Sequence, residues 1–511
     1  MKGAPVVGGL CALALATLAS AWLSNGDVAW TMAPTVTLAV VLATWRLPLR
    51  YSLFVLAFLA LTLENPSDVP AVGLWKSPLY TPGALLLAHI NLTLGPRWLF
   101  FSGLDLWLVL LLGAAAHRWV TGATVDRVGR VPGARPMVVA CLASLGGASF
   151  MWAWGVVRGD ADVASSLWQM QRVVYLPLVF FVFHTALRGR ADRVALFALL
   201  VTAACAKAAL AIYLRLTLDP PVGEVTLPYA TTHADSMLFA GATSAVLAAV
   251  LERFDRARVR LALFTLPLLI GGMVANHRRL VWVEIAAALL VLWWVTPRTA
   301  LSRALARVSV LLSPVAVAYV VVGWGSSSGI FSPVAVVRSV IDSKADPSTM
   351  WRDWENYDIF YTFRQSPLVG SGYGHPYIEL VKLPDISQSY SLYRFIPHNA
   401  VLGLWAYGGL VGFAALWTML TVGLFLAVRS YRFSTCGDDR VAALSSTAVI
   451  VVYLVHCYGD MGLGTWTSVF TVAPAFAIAS HLAVATRAWP SPGAAVRASG
   501  DHPALTRGDL A

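Results

Sequence analysis

A proline, a histidine and an asparagine introduce the apolar run in FIPHNAVLGLWAYGGLVGF, residues 395–413. His398 and Asn399 therefore stand at the start of a long helix, where unsatisfied N–H groups and the positive dipole end disfavour an imidazolium and favour a bound anion. A neutral histidine beside an anion is equipped to act as a general base. The alternative is structural: Asn399 caps the helix, His398 is an interfacial polar residue, and Gly408 and Gly412 form a small packing face. Upstream, ANHRRLVWVEIAAALLVL (275–292) carries Arg278 and Arg279, and TMWRDWENYDIFYTFRQ (349–365) carries Arg352 among aromatics at helical spacing. Guanidinium forks match the oxygens of a diphosphate, although arginines at a membrane boundary also reach outward merely to stay hydrated. Arg158, Arg172, His233 and Asp235 are further polar residues at the ends of apolar segments. In SPLVGSGYG (366–374), Gly370, Gly372 and Gly374 mark a tight turn at which backbone can approach a ligand closely. No strand signal precedes that turn, which argues against a dinucleotide or ATP site.

The elements that position these residues must lie in a membrane. With 58% hydrophobic and 12% charged residues in 511, and a mean hydropathy of +0.69, too little polar surface exists to cover a soluble globule. Apolar runs long enough to cross a bilayer recur along the chain and predict an all-α polytopic integral membrane protein of about 12 to 14 spans. The first run, behind Lys2, reads as an uncleaved anchor because more spans follow it. Residues 84–96 are short and polar, and read as re-entrant or interfacial. The five cysteines, Cys11, Cys141, Cys205, Cys436 and Cys457, have neither disulfide nor metal spacing and read as small core residues.

Basic residues orient the chain. With the N-terminus inside, 23 of the 37 Lys and Arg fall on the cytoplasmic side, in clusters such as Arg46/Arg50, Arg188/Arg190/Arg193, Arg253/Arg256/Arg258/Arg260 and Arg429/Arg432/Arg440. The net charge of +11 thus reports topology and anionic headgroups, so the expected partners are membrane lipids and not nucleic acid. This orientation places the one large loop outside the cytoplasm, with Arg278 and Arg279 in a tight turn on the same side, against the positive-inside bias. The organisation read from these signals is an N-terminal helical region (1–135), a transmembrane core (136–324), the extracytoplasmic loop with its amphipathic helix (325–397), C-terminal spans (398–486) and a cytoplasmic tail (487–511).

Two ionisable residues fall inside apolar stretches, Lys207 in TAACAKAALAIY and Glu284 in RRLVWVEIAAALL. Such residues are costly unless paired or wet. Their similar depth below the outer helix ends is compatible with a buried pair bracing the span that presents Arg278 and Arg279. The other reading is that Lys207 snorkels and Glu284 is protonated or faces a water-filled cavity.

The order of parts resembles the O-antigen ligase and O-antigen polymerase superfamily of bacterial envelope glycosyltransferases. The parts are Asn276 to Arg279 opening a span, a large external loop with Arg352, a PLxGxGxG element (Pro367 to Gly374), then HNxxLxxxxxxGxxG (His398, Asn399, Leu402, Gly409, Gly412). They cover about residues 150 to 480, and the first 130 residues carry no matching motif. The resemblance implies an inverting glycosyltransferase without metal or nucleotide cofactor, working on the outer face of the inner membrane. It would move a glycan from an undecaprenyl-diphosphate carrier to a glycan, lipid-core or protein acceptor, alongside other polysaccharide-assembly proteins. His398 of the His-Asn motif would be the base, and Arg278 or Arg279, with Arg352, would hold the diphosphate, Arg172 and Arg158 being next in line. The departure is HRRL, where the family more often has one arginine followed by glycine, so the choice between Arg278 and Arg279 stays open. Polymerase is slightly favoured over ligase because the expected spans exceed twelve. The competing class is a lipid-linked oligosaccharide flippase or other transporter, which usually shows related halves and a midplane site; this chain has no visible repeat.

Overall fold

The computed structural model describes residues 4–63, 79–90, 101–122, 131–217, 230–252, 255–297, 300–326, 328–342, 347–386, 392–460 and 463–490. In chain order its helices are α1 (Ala4–Leu23), α2 (Val28–Arg46), α3 (Leu49–Thr62), α4 (Tyr80–Leu87), α5 (Gly103–Thr121), α6 (Arg135–Arg158), α7 (Val163–Ala186), α8 (Arg190–Thr217) and α9 (His233–Glu252). They continue with α10 (Arg256–Asn276), α11 (Leu280–Val295), α12 (Ala300–Gly323), α13 (Ser332–Ile341), α14 (Pro347–Gln365), α15 (Ala400–Phe433), α16 (Gly437–Gly459) and α17 (Trp466–Ala485). Among the described residues there is no strand, only an isolated bridge between His89 and Ser102. Ten of these helices are long and apolar enough to cross a membrane, and three shorter apolar helices, Gly8–Leu23, Leu49–Thr62 and Leu280–Val295, accompany them. The chain is an all-α, multi-pass membrane protein. The stretch expected to be re-entrant begins as α4, which is only eight residues long; residues 91–96 lie outside the described residues, as does the tail from 491 onward.

Helices α9, α16 and α17 are buried along most of their length and form the centre. Their sequences explain it: Ala, Gly, Ser and Thr in HADSMLFAGATSAVLAAVLE let neighbouring backbones come close, the packing available to helices that have no water to expel. The same device joins α6 to α15, where Gly147 meets Ala415, and Gly408 and Gly412 both lie on Met151. Helix α15 is broken at Gly409, whose φ of +55° departs from helical geometry. The freed groups are taken up by the loop before it: the N–H groups of Leu410 and Val411 donate to Pro367 and Leu368. Buried Cys141 and Cys457 fit the expected core role, whereas Cys11 and Cys436 are exposed.

The amphipathic helix expected over 349–365 is α14, with Trp351, Trp354 and Tyr357 on its exposed side. Its buried side is polar: Glu355, Asp358 and Thr362 line it with Ile359. Asp358 accepts from the backbone of Leu380 and Val381 at 3.0 Å each, and Thr362 from Ile378 at 2.8 Å. Acidic and hydroxyl side chains here hold the extended segment that leads to His398.

Candidate active site

His398 lies one residue before the cap of α15, in front of Glu355 on α14. Its Nδ1 is 3.1 Å from Glu355 Oε2, and its backbone N–H lies 3.3 Å from both carboxylate oxygens. A carboxylate can only accept, so the ring proton belongs on Nδ1, leaving Nε2 with the lone pair. Burial pulls the imidazole down, but the hydrogen bond and charge of Glu355 outweigh it and hold His398 above its ordinary value, with Arg352 opposing and Asp460 reinforcing. Asn399 is the helix cap: its side chain accepts from Leu402 N at 3.1 Å. Its amide nitrogen is buried and without a hydrogen-bond partner among the described residues.

Arg352 sits one turn before Glu355 and donates through Nη1 to the Gly459 carbonyl at the end of α16, 2.6 Å away. The next residue, Asp460, has its Oδ2 3.2 Å from His233 Nδ1 at the start of α9. Burial alone would raise that carboxyl, but His233, His456, Arg352 and His398 around it hold it well below the usual carboxylate range. One turn back on α16, His456 Nδ1 meets Glu284 Oε1 of α11 at 2.8 Å, both side chains being fully buried. Arg278 and Arg352 both act electrostatically on His233. Residues from α9, the α10–α11 turn, α11, α14, the start of α15 and the end of α16 thus converge at one end of the bundle.

The α10–α11 turn is fixed by Asn276. Its Oδ1 accepts from Thr231 N at 2.8 Å, and its Nδ2 donates to Thr232 O at 3.0 Å and Ser236 Oγ at 2.9 Å. His277 follows with φ of +54°, a left-handed conformation uncommon outside glycine. The reversal puts Arg278 and Arg279 directly ahead of α11, Arg279 at its cap position.

Other sequence expectations are relocated. The stem of Arg172 packs on Gly464, and the residue lines a cavity of about 50 Å³ with Gln169, Tyr373, Pro397 and Ala400, next to the His-Asn pair. Arg158, a reserve candidate for diphosphate, instead faces the glycine turn, donating to Ser371 O at 3.4 Å. Gly370, Gly372 and Gly374 have φ of +69°, +80° and +90°. The surface they approach closely is protein: a Cβ on Gly370 would fall 2.3 Å from Tyr407 backbone, and one on Gly372 2.4 Å from Gly155. Gly374 N donates to Gln169 Oε1 at 2.7 Å. The turn is a wedge between α6 and the broken α15 that fixes the start of α15.

The expected Lys207–Glu284 pair is replaced by two others. Lys207 Nζ meets Asp235 Oδ2 at 3.3 Å, both side chains 1% exposed, while Glu284 takes His456. Matching depth was the only constraint behind the expectation; rotation about the helix axes sends each side chain to a different neighbour, α8 to α9 and α11 to α16. Glu355, His456 and Asp460 were missed as site residues. The signal for Glu355 was present in WRDWE, which puts it one turn from Arg352 on the same helix face. Asp460 and His456 carry no comparable local signal.

No individually curated protein matches the chain. Residues 263–417 match the family model described as O-antigen ligase, a segment that runs from α10 through α14 into α15 and holds Arg278, Arg279, Arg352, Glu355 and His398. That match falls on the part of the chain that builds this constellation, and it supports the resemblance to the O-antigen ligase and O-antigen polymerase superfamily.

Proposed function

We propose that the protein transfers a glycan from an undecaprenyl-diphosphate carrier to an acceptor sugar hydroxyl on the outer face of the inner membrane, with inversion and without metal. The family implies a glycosyltransferase with a lipid-linked donor and a glycan acceptor. The observation that supports the finer reading most is the Glu355–His398 contact one helical turn from Arg352. Nε2 of His398 takes the proton of the acceptor hydroxyl as its oxygen attacks the anomeric carbon. The bond from that carbon to the diphosphate oxygen breaks, and the electron pair leaves with the diphosphate. Glu355 fixes the ring and offsets the imidazolium charge. Arg352 and the Arg278/Arg279 turn supply the cations for the leaving group, where charge develops away from bulk water.

The test is donor turnover by the purified protein with a diphosphate-linked oligosaccharide, compared across Arg279→Ala, Arg278→Ala and Arg352→Ala and the matching Lys variants. The Ala changes should cost roughly 10²-fold or more, and Lys should rescue only in part because it cannot make a bidentate contact. Normal turnover in all three Ala variants would remove the diphosphate site from this end. In a deletion strain, single unpolymerised repeat units identify a polymerase, and full-length chains stranded on the carrier identify a ligase.

A further inference from the structure

A cavity lies at the opposite end of the bundle from His398, among the first turns of helices that end near the histidine cluster. It has a volume of about 380 Å³ and runs inward from the first turns of α8, α10 and α16. The rim is charged: Arg190, Arg193, Arg258 and Asp438 line it. The interior is mainly apolar, built from side chains such as Phe197, Ala442 and Ala475, and the hydroxyls of Ser445, Ser446 and Thr471 that also line it donate to backbone carbonyls. Protein interiors seldom leave voids much larger than a water molecule, and an apolar void of this size does not hold ordered water. In a membrane the available filler is a hydrocarbon chain. An occupant whose chain lies inside and whose head lies at the rim must suit arginine.

Asp438 is shared by two cations, Arg190 and Arg258, and the Arg190 side chain is 68% exposed at the rim. Arg193 is paired with Asp439, and Arg258 also with Asp255. The same end carries the basic clusters at Arg188/Arg190/Arg193 and Arg256/Arg258/Arg260, so its field attracts anionic headgroups. From the cavity, its charged rim and this field we infer a binding site for one anionic phospholipid, with an acyl chain between α8 and the α16–α17 pair and its phosphate at Arg190 and Arg258. The site is separate from the proposed glycan-transfer chemistry and does not rest on it.

The phospholipid competes with Asp438 for the same arginines, which gives the test a signed outcome. The full-length protein is reconstituted in nanodiscs containing phosphatidylglycerol and phosphatidylcholine, delipidated in detergent, and analysed by native mass spectrometry for retained lipid. One phosphatidylglycerol per chain should persist. Arg190→Gln should weaken retention roughly fivefold, the effect of one surface cation on an anionic headgroup. Asp438→Asn should strengthen it, because the carboxylate no longer holds Arg190 and Arg258. Ala442→Phe, which fills the cavity, should abolish it. If Ala442→Phe fails to fold, the two rim variants still decide, since a purely structural rim would make both changes shift retention in the same direction. Equal retention of phosphatidylcholine, displacement by an equimolar polyprenyl phosphate, persistence of the adduct in Ala442→Phe, or no retained lipid at all overturns the assignment.

Discussion

The two ends of the helical bundle handle charge in opposite ways. At the His398 end, carboxylates are nearly sealed and their partners include histidines: Glu355 with His398, Asp460 with His233, Glu284 with His456. At the other end the pairs are Arg–Asp and more exposed, as in Arg190–Asp438, Arg193–Asp439 and Arg258–Asp255. Arginine stays charged at any accessible pH, so the second kind of pair anchors a helix end and reports topology. Histidine can gain and lose a proton, and sealing its carboxylate partner keeps the interaction strong. Chemistry that moves a proton belongs at the first end.

The sharpest break of that comparison is His398→Ala. Loss of the proposed general base should lower glycan transfer by about 10² to 10⁴-fold, with membrane insertion retained because Asn399 still caps α15, and with a modest fall in the thermal melt because Glu355 keeps only the backbone N–H of residue 398. Wild-type turnover by a well-folded His398→Ala protein would leave the histidine-rich end without a catalytic reason.

Next in size is the fully buried Lys207–Asp235 pair, whose carboxylate lies in the first turn of α9. Removing one partner of such a pair strands the other, at a cost of about 3 to 5 kcal/mol. Lys207→Met should therefore destabilise the detergent-solubilised protein strongly, leaving Asp235 unpaired. Asp235→Asn added to Lys207→Met should recover much of the loss, since the amide oxygen can still accept from Thr232 N, 3.1 Å away. Additive losses in thermal melts would mean that the two side chains do not act as a pair.

These residues also mark how far the sequence could be read. The helical class, the amphipathic helix before His398 and the Asn276-to-Arg279 turn each follow from short-range signals: hydrophobic length, aromatic spacing, a polar break between apolar runs. Lys207 and Glu284 were visible as costly residues, but their partners depend on which faces of α8, α9, α11 and α16 turn toward each other. Buried helices such as α9 are apolar nearly all round, so periodicity gives no facing direction. Asp460 was hidden for the same reason, being an ordinary acidic residue after a span until α9 brings His233 to it. The glycine turn was legible as a turn, but its neighbour was the break at Gly409.

A smaller effect sharpens the comparison through pH. His398 must be neutral to accept a proton, so transfer should rise as pH climbs through its pKa, which Glu355 holds above the ordinary value. Glu355→Gln removes that charge, leaving burial to dominate, and the acid limb of the kcat profile should move to lower pH. The plateau should also fall by about tenfold, because the imidazolium formed during transfer loses its counter-charge. A merely structural Glu355 would lower the plateau with the limb in place.

The smallest effect is expected at the arginine-rich end, at a pair that does not itself line the cavity. Arg50 on α3 bonds Asp192 on α8 at 3.0 Å, with the arginine side chain 24% exposed and the aspartate 6%. Asp192 also accepts from the Arg188 backbone at 2.7 Å, so removing the guanidinium does not strand the carboxylate. Arg50→Gln should then cost no more than about 1 kcal/mol of stability, as partly exposed ion pairs do, and leave kcat within about twofold. Thermal melts at low and high salt provide the check: the difference from wild type should shrink as salt screens the pair. If Arg50→Gln instead lowered turnover as much as Glu355→Gln, the Arg–Asp end would be coupled to the chemistry and the division of labour between the two ends would be wrong.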